Sequence, residues 1–262
     1  MGLGFGGEVA EFYHRYRHGY PAEVIDILAD AFKLSAQDLV VDLGCGTGQL
    51  TLPIAGRVRA VVGMDPEPDM LRRARQAARE ADVPNVSWML GDDTDLPALL
   101  GLLGDRSVAV VTIGQALHWM SYDELLRSVG SVVRPGGGVA VVTNGTPLWL
   151  QESAWSRGLR VFLERWLGKR LTSWCGTDEQ TQQRYRQALA AAGFAVSSAA
   201  VEYVADLSFD QLAGGVYSAL PAGQLPAPDQ RPDFADQLRA AVGPQDRFSE
   251  PVRVAILTGR VR

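Results

Sequence analysis

Three glycines at alternate positions, Gly44, Gly46 and Gly48, follow an apolar run that stops on an acid, in the segment VVDLGCGTG from Val40 to Gly48. Glycines so spaced permit a tight turn in which backbone N–H groups approach a polar ligand closely, because no Cβ intervenes. Asp42 stands two residues before the first of them, and Cys45 fits between them as a small buried residue. A second acid, Asp65, ends the run Ala60 to Met64, about twenty residues further on, where a carboxylate can grip ribose hydroxyls. Asp92 and Asp93 follow the run Val86 to Leu90, and Gln115, His118 and Trp119 follow Val108 to Ile113. An imidazole at that place titrates near neutrality and could take a proton from a hydroxyl.

The elements that must position these groups follow from the apolar pattern. Leu39 to Leu43, Ala60 to Met64, Val86 to Leu90, Val108 to Ile113 and Val139 to Thr143 are short and valine-rich, as strands buried on both faces are. Helices are expected between them over Gln49 to Gly56, Glu67 to Ala81 and Tyr122 to Val133, with Pro53 distorting the opening turns of the first. Alternating strands and helices imply right-handed crossovers and a parallel sheet. The second half breaks this rhythm. Residues 144–177 carry Trp149, Trp155, Trp166 and Trp174 among helical residues, and 206–243 form a second helical stretch interrupted by turns; both are read as cap insertions. A helix over Asp178 to Ala192, ended by Gly193, lies between them. Ser197 to Val204 and Val252 to Val261 read as strands that close the sheet as an edge hairpin.

With 262 residues the chain suits one large α/β domain, and it can bury roughly 70–75% of its unfolded surface without staples. A net charge of −5 gives no global attraction to phosphate backbones, so small molecules are favoured over nucleic acid as partners. Two cysteines, with no Cys/His cluster, indicate neither a disulfide framework nor a metal site and suit a cytoplasmic setting. No apolar run approaches the ~20 residues that span a bilayer, and the glycine-rich start, Gly2 to Gly7, reads as a frayed terminus. Monomer and homodimer are equally compatible with these features.

Five segments in register resemble the class I S-adenosylmethionine-dependent methyltransferases: VVDLGCGTG, Asp65 in VVGMDPEPDM, Leu90-Gly91-Asp92-Asp93, Gln115-Ala116-Leu117-His118-Trp119, and Arg134-Pro135-Gly136-Gly137-Gly138. The lead-in Tyr13-His14-Arg15-Tyr16-Arg17-His18-Gly19-Tyr20-Pro21 is similar to that of the small-molecule branch containing trans-aconitate methyltransferases, which usually has Pro where this chain has His18. The resemblance implies a Rossmann-like seven-stranded sheet of order 3-2-1-4-5-7-6 with strand 7 antiparallel, lid helices over 1–33, and S-adenosyl-L-methionine as cofactor, leaving S-adenosyl-L-homocysteine. It also implies a task for each motif. Gly44 to Gly48 and Cys45 would pack on the methionine part, Asp42 would orient its ammonium, and Arg17 would pair with its carboxylate. Asp65 would accept from the ribose and Asp92 or Asp93 from the adenine amine, while Gln115 would fix cofactor or acceptor.

Methyl transfer from a sulfonium is an in-line displacement that calls for alignment and water exclusion more than charge stabilisation. Phe12, Tyr16, Tyr20, Trp119, Trp149 and Tyr217 are the candidate walls of an acceptor pocket. His118 is the foremost candidate base, or else a group that holds its loop or orients the substrate; His14 and Tyr13 are the lesser candidates. The expected activity is methylation of an oxygen or nitrogen of a small metabolite, such as a natural-product intermediate. The rivals are a non-catalytic or repurposed S-adenosylmethionine binder, a methyltransferase of nucleic acid or protein, and a nicotinamide-dependent dehydrogenase.

Overall fold

A computed structural model describes residues 4–104, 106–172 and 175–261, so Gly2 and Trp174 lie outside the described residues. By its internal contacts the chain divides into two compact units. One comprises Met1–His18, Gly145–Cys175 and Glu202–Arg253; the other comprises Gly19–Asn144, Gly176–Val201 and Val254–Arg262.

The larger unit is built on the parallel strands β1 (Leu39–Leu43), β2 (Ala60–Asp65), β3 (Val86–Leu90), β4 (Val108–Gly114) and β5 (Val133–Asn144). With β6 (Ala195–Ser208) and β7 (Arg247–Arg260) they form a seven-stranded sheet of order β3-β2-β1-β4-β5-β7-β6, in which β7 runs antiparallel to β5. Every residue of β1 is buried, and Val41 is flanked by Val62 of β2 and Val111 of β4, which is why the apolar runs betray the central strands so clearly. Around the strands stand α2 (Ala22–Phe32), α3 (Thr51–Ala55), α4 (Pro68–Glu80), α5 (Leu96–Leu103), α6 (Tyr122–Val132) and α8 (Glu179–Ala191).

Two departures from the sequence expectations have local causes. The helix expected over Gln49 to Gly56 shrinks to α3, five residues long, because Pro53 has no N–H to give the carbonyl of Gln49. β5 begins at Val133 and carries the Pro-Gly segment as an irregularity, with the register against β4 shifting between Val108 and Val110. There Gly138 lies so close to the neighbouring strand that a Cβ would meet the carbonyl oxygen of Gly259 at 1.8 Å. Arg134 anchors the same segment, donating to the Asp38 carboxylate at 2.8 Å and the Phe32 carbonyl at 2.9 Å.

The smaller unit contains α1 (Glu8–Tyr16), α7 (Ala154–Leu167), α9 (Phe209–Tyr217), α10 (Arg231–Val242) and the outer parts of β6 and β7. Its own core packs Trp155, Leu159, Phe162, Leu212, Phe234 and Phe248. Phe162 and Trp166 each meet Phe234 edge-on, with centroids 4.9 Å apart. Ser208 caps α9 in a reciprocal box with Gln211. In this unit β7 alternates buried and exposed residues from Phe248 onward, and Glu250 occupies an inward position.

Candidate functional site

Parallel strands bring the loops after β1, β2, β3 and β4 to one edge of the sheet, where open α/β sheets bind ligands. The chain leaves β1 through a turn in which the N–H groups of Gly44 and Cys45 both donate to the carbonyl of Met64, at 2.8 and 3.0 Å. The turn closes through the Gly48 N–H to the Cys45 carbonyl at 2.9 Å. Gly44 is in the left-handed region, φ 68°, and a Cβ there would stand 2.4 Å from the Ala116 Cβ and 3.2 Å from the Met120 Cε. Glycine is therefore obligatory at this position, and the loop after β4 lies directly against the turn after β1.

Asp65, 8% exposed at the end of β2, faces this turn. Its carboxylate accepts from the Gly46 N–H and the Glu67 N–H, each at 2.9 Å, which leaves each oxygen a second lone pair. Burial raises its pKa above the ordinary carboxylate range, and the two N–H bonds oppose that rise. Asp42 is buried one layer beneath, accepting from Thr51 Oγ1 at 2.5 Å and Thr112 Oγ1 at 2.7 Å. Burial pushes its pKa up to about 6. Burial likewise pushes the Cys45 thiol well above its usual value, which suits an inert filler of the turn.

After β3 the two acids have different surroundings. Asp92 accepts from Thr94 through both N–H and hydroxyl, at 2.9 and 2.6 Å, and these bonds hold its pKa low. Asp93 accepts from the Ser121 N–H at 3.0 Å and so ties the β3 loop to the start of α6. After β4, Gln115 adopts φ 55°, a strained conformation for a residue with a side chain. Its N–H donates to Val142 O at 2.9 Å and its side-chain amide to Asn144 O at 2.8 Å, while its buried Oε1 has no partner among the described residues. Tyr20 sets its hydroxyl over Gly114, 2.8 Å from where a Cβ would stand. A short 3-10 turn, Leu117–Trp119, then presents His118 and Trp119 with ring centroids 5.0 Å apart. Burial alone draws the His118 pKa down to about 4, so the imidazole is neutral at pH 7.

The larger unit thus brings Tyr20, Asp42, Gly44, Cys45, Gly46, Gly48, Asp65, Asp92, Asp93, Gln115, His118 and Trp119 to one edge of its sheet. Phe12, Tyr13, His14, Tyr16, Arg17, Trp149 and Tyr217 belong to the smaller unit. There Phe12 packs on Tyr217 at 5.1 Å, Tyr16 donates to Asp210 at 3.1 Å, and the Arg17 guanidinium lies 5.4 Å from the Tyr13 ring centroid. Tyr217 is buried in that unit's core, and the Trp149 indole packs at the edge of the same core. Sequence reasoning missed the supporting residues Thr51, Thr112 and Asn144. For the threonines the signal was present, as lone hydroxyls at a helix start and inside an apolar strand.

Comparison with known proteins agrees with this geometry. Residues 40–137 match a family model described as a methyltransferase domain. An uncharacterized methyltransferase of Mycobacterium tuberculosis is 39% identical over 144 residues, covering 55% of this chain and 53% of that protein. One from Schizosaccharomyces pombe is 29% identical over 145 residues, again covering 55% and 53%. The aligned part of the chain therefore spans about half the length of these relatives. Among solved structures, a provisionally assigned type II methyltransferase of Anaeromyxobacter dehalogenans shares the fold with a TM-score of 0.62 at 23% identity, over 94% of this chain and 98% of that one. Residues 40–137, with the glycine turn and the acid ending β2, are thus similar to a methyltransferase domain, and the strand order is that of the Rossmann-like methyltransferase fold.

Proposed function

We propose that the protein transfers the methyl group of S-adenosylmethionine to an oxygen or nitrogen of a small metabolite, in the class of natural-product intermediates. The observation that carries this reading is Asp65, a buried carboxylate fixed by two backbone N–H groups beside a turn where Gly44 admits no side chain. These residues fit the cofactor: the carboxylate keeps lone pairs for two ribose hydroxyls, and the turn offers backbone in place of side chains. Asp42 would set a negative charge toward the ammonium, directly or through water. Asp92 or Asp93 would accept from the adenine amine, each through its other carboxylate oxygen, since Thr94 takes one oxygen of Asp92 and Ser121 one of Asp93.

When bound, S-adenosylmethionine supplies an electrophilic methyl; the acceptor's lone pair bonds to it as the C–S pair returns to sulfur, and the acceptor's proton is released. His118 is suited to accepting a hydrogen bond from the acceptor and aligning its lone pair. A base with a pKa of about 4 drives proton removal at pH 7 weakly, so orientation is the larger part of its role. Gln115 would hold cofactor or acceptor through Oε1, its amide nitrogen being committed to Asn144. The acidic balance of the chain supports a small acceptor over nucleic acid.

The test is release of S-adenosylhomocysteine when the protein is incubated with methyl-labelled S-adenosylmethionine and a panel of phenols, hydroxy acids and amines. Label appearing on an oxygen or nitrogen of one acceptor class is the expected outcome. Cofactor binding without transfer to any acceptor class would instead mark a repurposed binder.

A further inference from the structure

The 3-10 turn behind β4 displays a pair of rings whose surroundings say more about the acceptor than the methyltransferase reading alone. Trp119 is 53% exposed, and it is the only aromatic among the large apolar side chains that stand exposed in the described residues. A ligand ring that covers the exposed half of such a side chain gains up to roughly 1.5–3 kcal/mol. The turn that carries it is firmly anchored. Leu117 is buried, the N–H groups of Trp119 and Met120 close the turn on Ala116 O and Leu117 O at 3.0 and 3.1 Å, and Ala116 and Met120 press on Gly44. The rings are therefore presented by a fixed support that touches the glycine cradle itself.

His118 lies beside the indole, tilted by 43°, and makes no hydrogen bond or ion pair among the described residues. A neutral imidazole offers one N–H donor and one accepting nitrogen. We propose that His118 and Trp119 form a recognition pair for a planar aromatic acceptor bearing a ring O–H or N–H, the ring lying on the indole and its O–H or N–H donating to the imidazole. This rests on the methyltransferase reading and narrows its acceptor class. A phenolic O–H, with a pKa of about 10, gives up its proton far more readily than an aliphatic hydroxyl, which suits an imidazole too desolvated to be a strong base. The offset or edge-on contacts that aromatic rings prefer also select flat rings over saturated ones of the same size.

The experiment is calorimetric titration of 2-naphthol, and of its saturated counterpart 2-decalol, into the protein saturated with S-adenosylhomocysteine. The naphthol is expected to bind at least about tenfold more tightly than the decalol, with Trp119→Ala losing about tenfold and Trp119→Phe recovering most of it. His118→Ala should weaken naphthol binding while S-adenosylhomocysteine affinity stays unchanged in all three variants. Equal affinity for the two compounds, no binding of the naphthol, or an unaffected Trp119→Ala variant overturns the proposal. Failure of the wild-type protein to bind S-adenosylhomocysteine would overturn the methyltransferase reading instead, so the two failures are distinguishable.

Discussion

At the scale of single residues, the site is a set of buried polar groups whose partners fix their protonation. His118 has a folded pKa of about 4 against an ordinary value of 6.5. As pH falls, the unfolded chain takes up the proton first, so the stability linked to neutral His118 is complete above pH 6.5 and is lost as pH drops toward 4. The loss is at most on the order of 3 kcal/mol. Asp42 acts in the opposite sense: its folded pKa is raised to about 6, so the cost of its buried charge is relieved on acidification. Urea unfolding of the wild type and of His118→Gln at pH 7 and pH 4.5 separates the two. The stability of the wild type relative to the variant should fall between these values, and a constant difference would contradict the burial of a neutral imidazole.

At the scale of elements, the turn after β1 and the loop after β4 are interlocked at Gly44. Gly44→Ala would place a Cβ 2.4 Å from that of Ala116 at a φ of 68°. Overlap and backbone strain together should cost about 2–4 kcal/mol and weaken cofactor binding, measurable by denaturant unfolding and by titration of S-adenosylhomocysteine. Wild-type stability in this variant would show that the two loops are free to separate. The same elements explain what the sequence discloses and what it conceals. β1, β2 and β4 are legible because strands covered on both faces must be apolar throughout, whereas β3, at the sheet edge, is only partly buried. Gly44 is legible because a turn in the left-handed region leaves few other residue types. α5 is not legible, because LPALLGLL is apolar all round and leaves Leu102 exposed instead of forming a stripe. The start of β7 is concealed by Glu250 and Pro251, an acid and a proline in a strand. Glu250 takes an inward position of β7, where His18, the residue atypical for the lead-in segment, meets it at 3.0 Å from 232 positions away and Gln151 donates to its other oxygen at 3.4 Å. The bonds of Asp42 to Thr112 and of Gln115 to Asn144 likewise join residues distant in sequence, which periodicity cannot reveal.

At the scale of the whole molecule, each of the two units has its own apolar core, and of the residues proposed to hold the cofactor all but Arg17 belong to the larger one. No helix among the described residues is long and apolar enough to cross a membrane, and no group of three His, Cys, Asp or Glu among them is placed to hold a metal. One carboxylate and the backbone turn it faces carry the proposed cofactor assignment. Calorimetric titration of S-adenosylhomocysteine into the wild type and Asp65→Ala, with circular dichroism as the control for folding, tests it most directly. Loss of two hydrogen bonds to a charged acceptor predicts affinity lower by about a hundredfold or more in a folded variant. Equal affinity in the two proteins, or a wild type that binds a nicotinamide dinucleotide and not S-adenosylhomocysteine, would contradict it.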